Sequence, residues 1–133
     1  MTVVIDCNVF VMCLTSHSSY HQIYKSLINN DFQIVISQDI LLEYEEVIQR
    51  KYSVSAANAL TTLLSELSNV IYVNPNFKWG LITQDPDDNK YCDSAIAGQA
   101  DYIVTEDRHF DILKNIPFPT ISVVGIDAFI AML

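Results

Sequence analysis

The sequence predicts an α/β fold, a parallel sheet of about five strands sandwiched by helices in three layers. Short β-branched runs alternate with helical segments along the whole chain. These runs are continuously apolar, as in strands covered on both faces, and do not alternate polar with apolar residues. A length of 133 residues suits one domain with a real core and is too short for two, so residues 1–133 are read as a single domain.

The elements follow in order. "TVVID" reads as the first strand, with "NVFVMCL" leading away as a short helix. "SSYHQIYKSLINN" spaces Ile23, Leu27 and Ile28 helically and ends at "NND". "FQIVIS" is the second strand, and Ser37 is placed to cap "QDILLEYEEVIQRKY", where Ile40, Leu41, Tyr44, Val47 and Ile48 share a face. Ser55 opens a helix through "AANALTTLLSELS", and "VIYV" makes the third strand. Residues 74–87, with Pro75, Gly80 and Pro86, form the longest irregular stretch. A helix beginning near Asp88, a strand "DYIVT", a helix after Asp107, a strand "TISVV" and a last helix from Ile126 complete the chain.

Half the residues are hydrophobic and 17% are charged, the balance of a globular protein. No apolar run approaches the roughly 20 residues of a membrane span, and no secretory signal is expected. Cys7, Cys13 and Cys92 are odd in number and form no CxxC pair, so they read as reduced core residues of a cytoplasmic protein. His17, His21 and His109 lack metal-ligand spacing, and there is no Gly-rich phosphate loop. Sixteen acids against seven bases give a net charge of −9. That balance disfavours nucleic-acid binding by charge alone. It suits a solvated acidic surface, a basic partner, or acids neutralised by bound cations.

In a parallel sheet, functional groups gather beyond the C-terminal strand ends. Asp6 closes the first strand, and Asp107 follows "DYIVT". Glu43 falls in the second turn of the helix after strand two, pointing back to those ends, and Asp88 starts the helix before "DYIVT". Singly, each is explained as a helix cap or a solvated residue. Together, with no basic counter-charge expected nearby, they repel. Two like charges about 4 Å apart cost roughly 1 kcal/mol in bulk water and about 4 at an effective dielectric near 20. A hard cation such as Mg²⁺ or Mn²⁺ removes that cost, and an activated water beside a polarised phosphoryl oxygen is what phosphodiester hydrolysis requires. The stretch "DPDDNKYCD" also offers Asp85, Asp87 and Asp93. Asp93 points about 140° away from Asp88 on a helix. It is expected over solvent or a partner surface, with Ala95 and Ile96 inward, so Asp88 is preferred as the third acid and Asp93 is the alternative.

These segments resemble the PIN-domain family, in its small single-domain bacterial branch assigned to toxin–antitoxin systems. "VVIDCNVFV" matches the opening Asp-x-Asn motif, and "SQDILLEYEEVI" matches the Ser-to-Glu helix. "DPDDNKYCDSAIAGQADYIVTED" matches the third and fourth acids, and "VVGIDAFI" the closing strand-to-helix stretch. The resemblance spans nearly the whole chain, and its third segment is the most specific. It implies a catalytic, metal-binding quartet of Asp6, Glu43, Asp88 and Asp107, supported by Asn8 and Thr105, with Glu106 adding negative charge beside them. One or two Mg²⁺ or Mn²⁺ ions would serve an endoribonuclease. The implied company is an RNA substrate, an antitoxin whose basic residue enters the acidic site, and a second copy in a homodimer. Scattered bases make RNA binding weak or partner-assisted.

Two other functions compete. The chain would act chiefly as an interaction or regulatory module if an acid of the quartet were missing, and all four are present. A Mg²⁺-dependent phosphatase of the haloacid-dehalogenase type also opens on strand-Asp, but needs a second Asp where this chain has Asn8.

Overall fold

A computed structural model describes all 133 residues. Five parallel strands form one sheet in the order β3-β2-β1-β4-β5: β1 (Thr2–Ile5), β2 (Gln33–Ser37), β3 (Val70–Val73), β4 (Tyr102–Val104) and β5 (Val123–Val124). The chain builds outward from β1 to β3, then returns to the other side of β1 for β4 and β5. The sheet therefore reverses direction between β2 and β4, around the C-terminal end of β1, which is where a crevice opens in folds of this kind.

Six helices flank the sheet: α1 (Cys7–Met12), α2 (His21–Ile28), α3 (Gln38–Lys51), α4 (Val54–Glu66), α5 (Asn89–Ala97) and α6 (Ile126–Ala131). Successive strand side chains point to opposite faces. Val3, Val4 and Ile5 are all fully buried, as are Ile34, Val35 and Ile36, so both faces of the two central strands are covered. This is why those strands read as unbroken apolar runs. On α3, Ile40, Tyr44 and Ile48 are buried, while Leu41 and Val47 lie half-buried at the margin of that face. Its start is fixed by Ser37, whose hydroxyl accepts from the Ile40 N–H at 3.3 Å. All three cysteines are free and buried. No helix is long and apolar enough to cross a membrane.

Three local readings differ from expectation. α4 is capped by Ser53, two residues before Ser55, through the Ala56 N–H at 3.0 Å. The segment after Asp107 is a 3₁₀ helix, Arg108–Asn115. The helix near Asp88 is preceded by its own 3₁₀ turn, Pro86–Asp88, because Pro86 suits a first helical position while Asp85 caps the turn.

Candidate metal centre

Asp6 follows β1 and stands in the N-cap position of α1, yet its side chain makes no capping hydrogen bond. One carboxylate oxygen accepts instead from Thr105 Oγ1, just after β4, at 2.8 Å. Buried tyrosines fix the backbone on either side of it. Tyr44 Oη donates to the Ile5 carbonyl, and Tyr91 Oη accepts from the Cys7 N–H at 3.2 Å. Tyr44 is held in turn by the ring of Phe10, stacked at 4.2 Å between centroids. The acid at the end of the strand is thus positioned as a side chain, and the capping explanation fails for it.

Asp88 behaves alike. It occupies the N-cap position of α5 without a side-chain cap bond, and its Oδ2 is enclosed without any hydrogen-bond partner. That oxygen stands 3.4 Å from His109 Nδ1, which also lacks a hydrogen-bond partner. Ligand atoms of Asp85, Asp88 and His109 lie within 4.8 Å of one another. His109 Nδ1 is also 3.4 Å from Asp107 Oδ1. Asp85 and Asp107 do cap: Asp85 Oδ1 accepts from the Asp87 N–H, and Asp107 Oδ1 from the His109 N–H at 2.9 Å. A cap leaves the second carboxylate oxygen uncommitted, so that duty does not remove either acid from the cluster.

The electrostatics tie these groups together. Burial pushes the Asp88 carboxyl up to about 6, with Asp85, Asp107 and Asp6 adding repulsion and proximity to His109 opposing it. Burial also raises Asp6, helped by Asp107 and Glu43, while the Thr105 hydroxyl pulls the other way. Asp6, Asp88 and Asp107 therefore share one electrostatic neighbourhood at the strand ends, and Glu43 touches it through Asp6.

Glu43 is not an open ligand here. Tyr91 Oη donates to its Oε1, and Lys90 Nζ lies 3.3 Å from its Oε2. The expectation of a quartet without a basic counter-charge is corrected on this point. Lys90 is on α5 and reaches across to α3, where a sequence reading has no reason to look. His109 was also discounted for want of spacing; a 3₁₀ helix opening at Arg108 turns it back onto Asp107, only two residues away. Asn8 lies on the exposed side of α1, outside the acids' hydrogen-bond network.

Asp93 departs from its expected place over solvent. It is buried in mid-α5, and its Oδ1 accepts from the Trp79 backbone N–H at 3.1 Å, so it anchors the stretch after β3. Ala95 is buried as expected, but Ile96 is only half-buried. Glu106 likewise turns away from the acids: its Oε1 accepts from the Ile126 N–H at 2.6 Å, at the start of α6. The carboxylate added by "TED" is a helix cap.

The donor set fits a hard divalent cation: carboxylates gathered in one neighbourhood, two of them, Asp6 and Asp88, spared from capping and raised mainly by burial, and an enclosed oxygen without a partner. A model of the PIN domain matches residues 2–109. Among solved structures, VapBC2 from Rickettsia felis, bound to a DNA fragment from their promoter, is similar at a TM-score of 0.64 and 20% identity, over 94% of this chain and 98% of that one. Mycobacterium tuberculosis VapC20, a Sarcin-Ricin loop cleaving toxin, is similar at 0.59 and 12%, over 82% and 92% respectively. These likenesses concern the fold. No curated protein matches the chain. From the family match over most of its length, together with the five-stranded parallel sheet, the chain belongs to the PIN-domain family.

Proposed function

We propose that the protein is a metal-dependent endoribonuclease, the toxin component of a toxin–antitoxin pair. One observation carries the reading: Asp88 Oδ2 is enclosed without a hydrogen-bond partner among Asp6, Asp85, Asp107 and His109, a donor set that a hard divalent cation would satisfy. Asp6, Asp88 and Asp107 would hold Mg²⁺ or Mn²⁺, with Glu43 joining when released by Lys90. Asp85 and His109 extend the set. The bound cation would supply a lowered water pKa and polarisation of a phosphoryl oxygen. The chain's own residues do the positioning. Thr105 fixes one oxygen of Asp6, Tyr91 and Lys90 fix both oxygens of Glu43, and the Asp107 cap holds the His109 backbone N–H.

The relatives support the choice of substrate and partner. VapC20 is a toxin that cleaves the Sarcin-Ricin loop, and VapBC2 is bound to promoter DNA. By analogy, this chain takes RNA and pairs with an antitoxin; an antitoxin basic side chain set against the acids, and a homodimer, complete the reading on the family resemblance alone. The test is cleavage of single-stranded and structured RNA by the purified protein in Mn²⁺ or Mg²⁺, against EDTA and an Asp6→Asn control. Cleavage that persists equally in EDTA, or in Asp6→Asn, excludes this mechanism.

A further inference from the structure

The chain's only tryptophan lies among aromatic side chains that the core leaves out. The Trp79 ring is 4.6 Å from Phe77 and 6.0 Å from Phe118, between centroids. Phe10, Phe32, Phe110 and Phe129 are buried, whereas Phe77 and Phe118 are 63% and 77% exposed. The three rings come from two segments, the stretch after β3 and the turn before β5, so tertiary structure gathers them. Trp79 is held in place by its backbone bond to Asp93. Asp93 also lines a cleft of about 490 Å³ that passes Asn74, Lys78 and Asn89 to Lys90 and Asp87. Lys78 lies between Phe77 and Trp79 in the chain and Lys90 contacts Glu43, so the cleft, lined by neither the rings nor the acids of the site, lies between the aromatic segment and the Glu43 edge of those acids.

We propose that Phe77, Trp79 and Phe118 form a stacking platform for the bases of unpaired RNA, and that Lys78 and the polar cleft guide its backbone to the acidic site. This rests on the ribonuclease reading of that site. Base faces are available to aromatic rings in a single strand and are occupied by neighbouring bases in a duplex. The cleft lining is almost wholly polar, which does not suit the apolar face of a protein helix, and it sets Lys78 and Lys90 against Asp39, Asp87 and Asp93, so charge alone does not hold a phosphate chain there. Stacking also accounts for how an acidic chain holds an anion. Two lysines at the cleft neutralise about two phosphates at most, giving a salt slope no steeper than roughly −1.5 for a single strand.

Because Trp79 is the sole tryptophan, its emission reports the platform directly. In EDTA, so that nothing is cut, a short mixed-sequence single-stranded RNA quenches it, and the duplex of the same sequence does not. Phe77→Leu and Phe118→Leu keep apolar surface but remove a π-face. Each weakens binding at least about fivefold, the lower end of a lost base–aromatic stack, while Phe118→Tyr retains it. Both Leu variants melt with the parent, since the rings are exposed. Quenching equal for single strand and duplex, or untouched by both Leu variants, overturns the platform. So does a dimer lost in Phe118→Leu on sedimentation with no RNA-dependent quenching, which assigns the face to a second copy. Quenching without Mn²⁺-dependent cleavage removes the nuclease reading and leaves the platform. Cleavage with RNA affinity indifferent to the Leu variants removes the platform alone.

Discussion

Lys90 Nζ stands 3.3 Å from Glu43 Oε2, joining α5 to α3 across the edge of the acidic cluster. The pair is partly screened by solvent, so its worth to the fold is about 1 kcal/mol or less. Its larger effect is expected on cation binding, because Lys90 contacts an oxygen that a metal held by Glu43 would use and adds a positive charge beside it. Lys90→Met is expected to tighten Mn²⁺ binding by up to about tenfold, the scale of one Coulomb contact at an effective dielectric near 20 after discount for solvent. Calorimetric titration checks this; weaker binding in Lys90→Met shows that Lys90 orients Glu43 for the cation and does not compete with it.

Asp88 gives two linked expectations. Mn²⁺ at 100 times its dissociation constant stabilises the protein by about 2.7 kcal/mol, several degrees of melting temperature. Asp88→Asn removes that shift and the cleavage, while raising the melting point of the metal-free protein by relieving repulsion. Identical melts in EDTA and millimolar Mn²⁺ would sink the metal site altogether.

The pH dependence follows from the direction of the shifts. Asp6, Asp88 and Asp93 all sit above the ordinary value of 3.8, Asp88 at about 6. As pH rises through this window the unfolded chain gives up its protons first, so the folded state binds more and loses stability. For Asp88 alone, the metal-free protein is expected to lose about 1 kcal/mol between pH 5 and 7. Saturating Mn²⁺ reverses the slope, since the metal needs ionised carboxylates. Melts at both pH values, with and without Mn²⁺, test this. A metal-free protein more stable at pH 7 contradicts the burial that raises these carboxyls.

Tyr91 serves two partners, accepting from the Cys7 N–H and donating to Glu43. Tyr91→Phe leaves a buried donor unpaired next to Asp6 and is expected to cost about 1–3 kcal/mol. Amide exchange should speed up at Cys7 in particular. Unchanged exchange there means that the Asp6 backbone does not depend on the tyrosine.

Asp93 and Glu106 are expected to separate stability from metal binding. Asp93→Ala frees the Trp79 N–H and Glu106→Ala uncaps α6, each at about 1 kcal/mol. Both should retain the Mn²⁺-induced melting shift. Loss of that shift in Asp93→Ala would return Asp93 to the ligand set as the third acid.

Much of the fold was legible because burial on both faces leaves a simple mark. "TVVI" and "QIVIS" are apolar without alternation, and α3 carries its cap and its apolar face in the same short stretch. Asp6, Asp88 and Asp107 were legible as a group from their addresses at strand and helix ends. The partners were not. Lys90 and Tyr91 reach Glu43 across 47 and 48 residues of sequence, and nothing local encodes that meeting. Asp93 and Glu106 were misplaced for a related reason: charge suggests solvent, but a single backbone N–H is enough to hold a carboxylate inside. His109 needed knowledge of a 3₁₀ turn that composition does not reveal.

Consecutive residues 105 to 107 point to three separate destinations: Thr105 to Asp6, Glu106 to the first N–H of α6, and Asp107 to His109. The PIN-domain match stops at residue 109, so α6 lies wholly beyond it. Through Glu106 that helix is nonetheless tied to the same tripeptide that contacts Asp6 and contains Asp107. A change that displaces α6 is therefore passed through Glu106 to its two neighbours, Thr105 beside Asp6 and Asp107 beside His109.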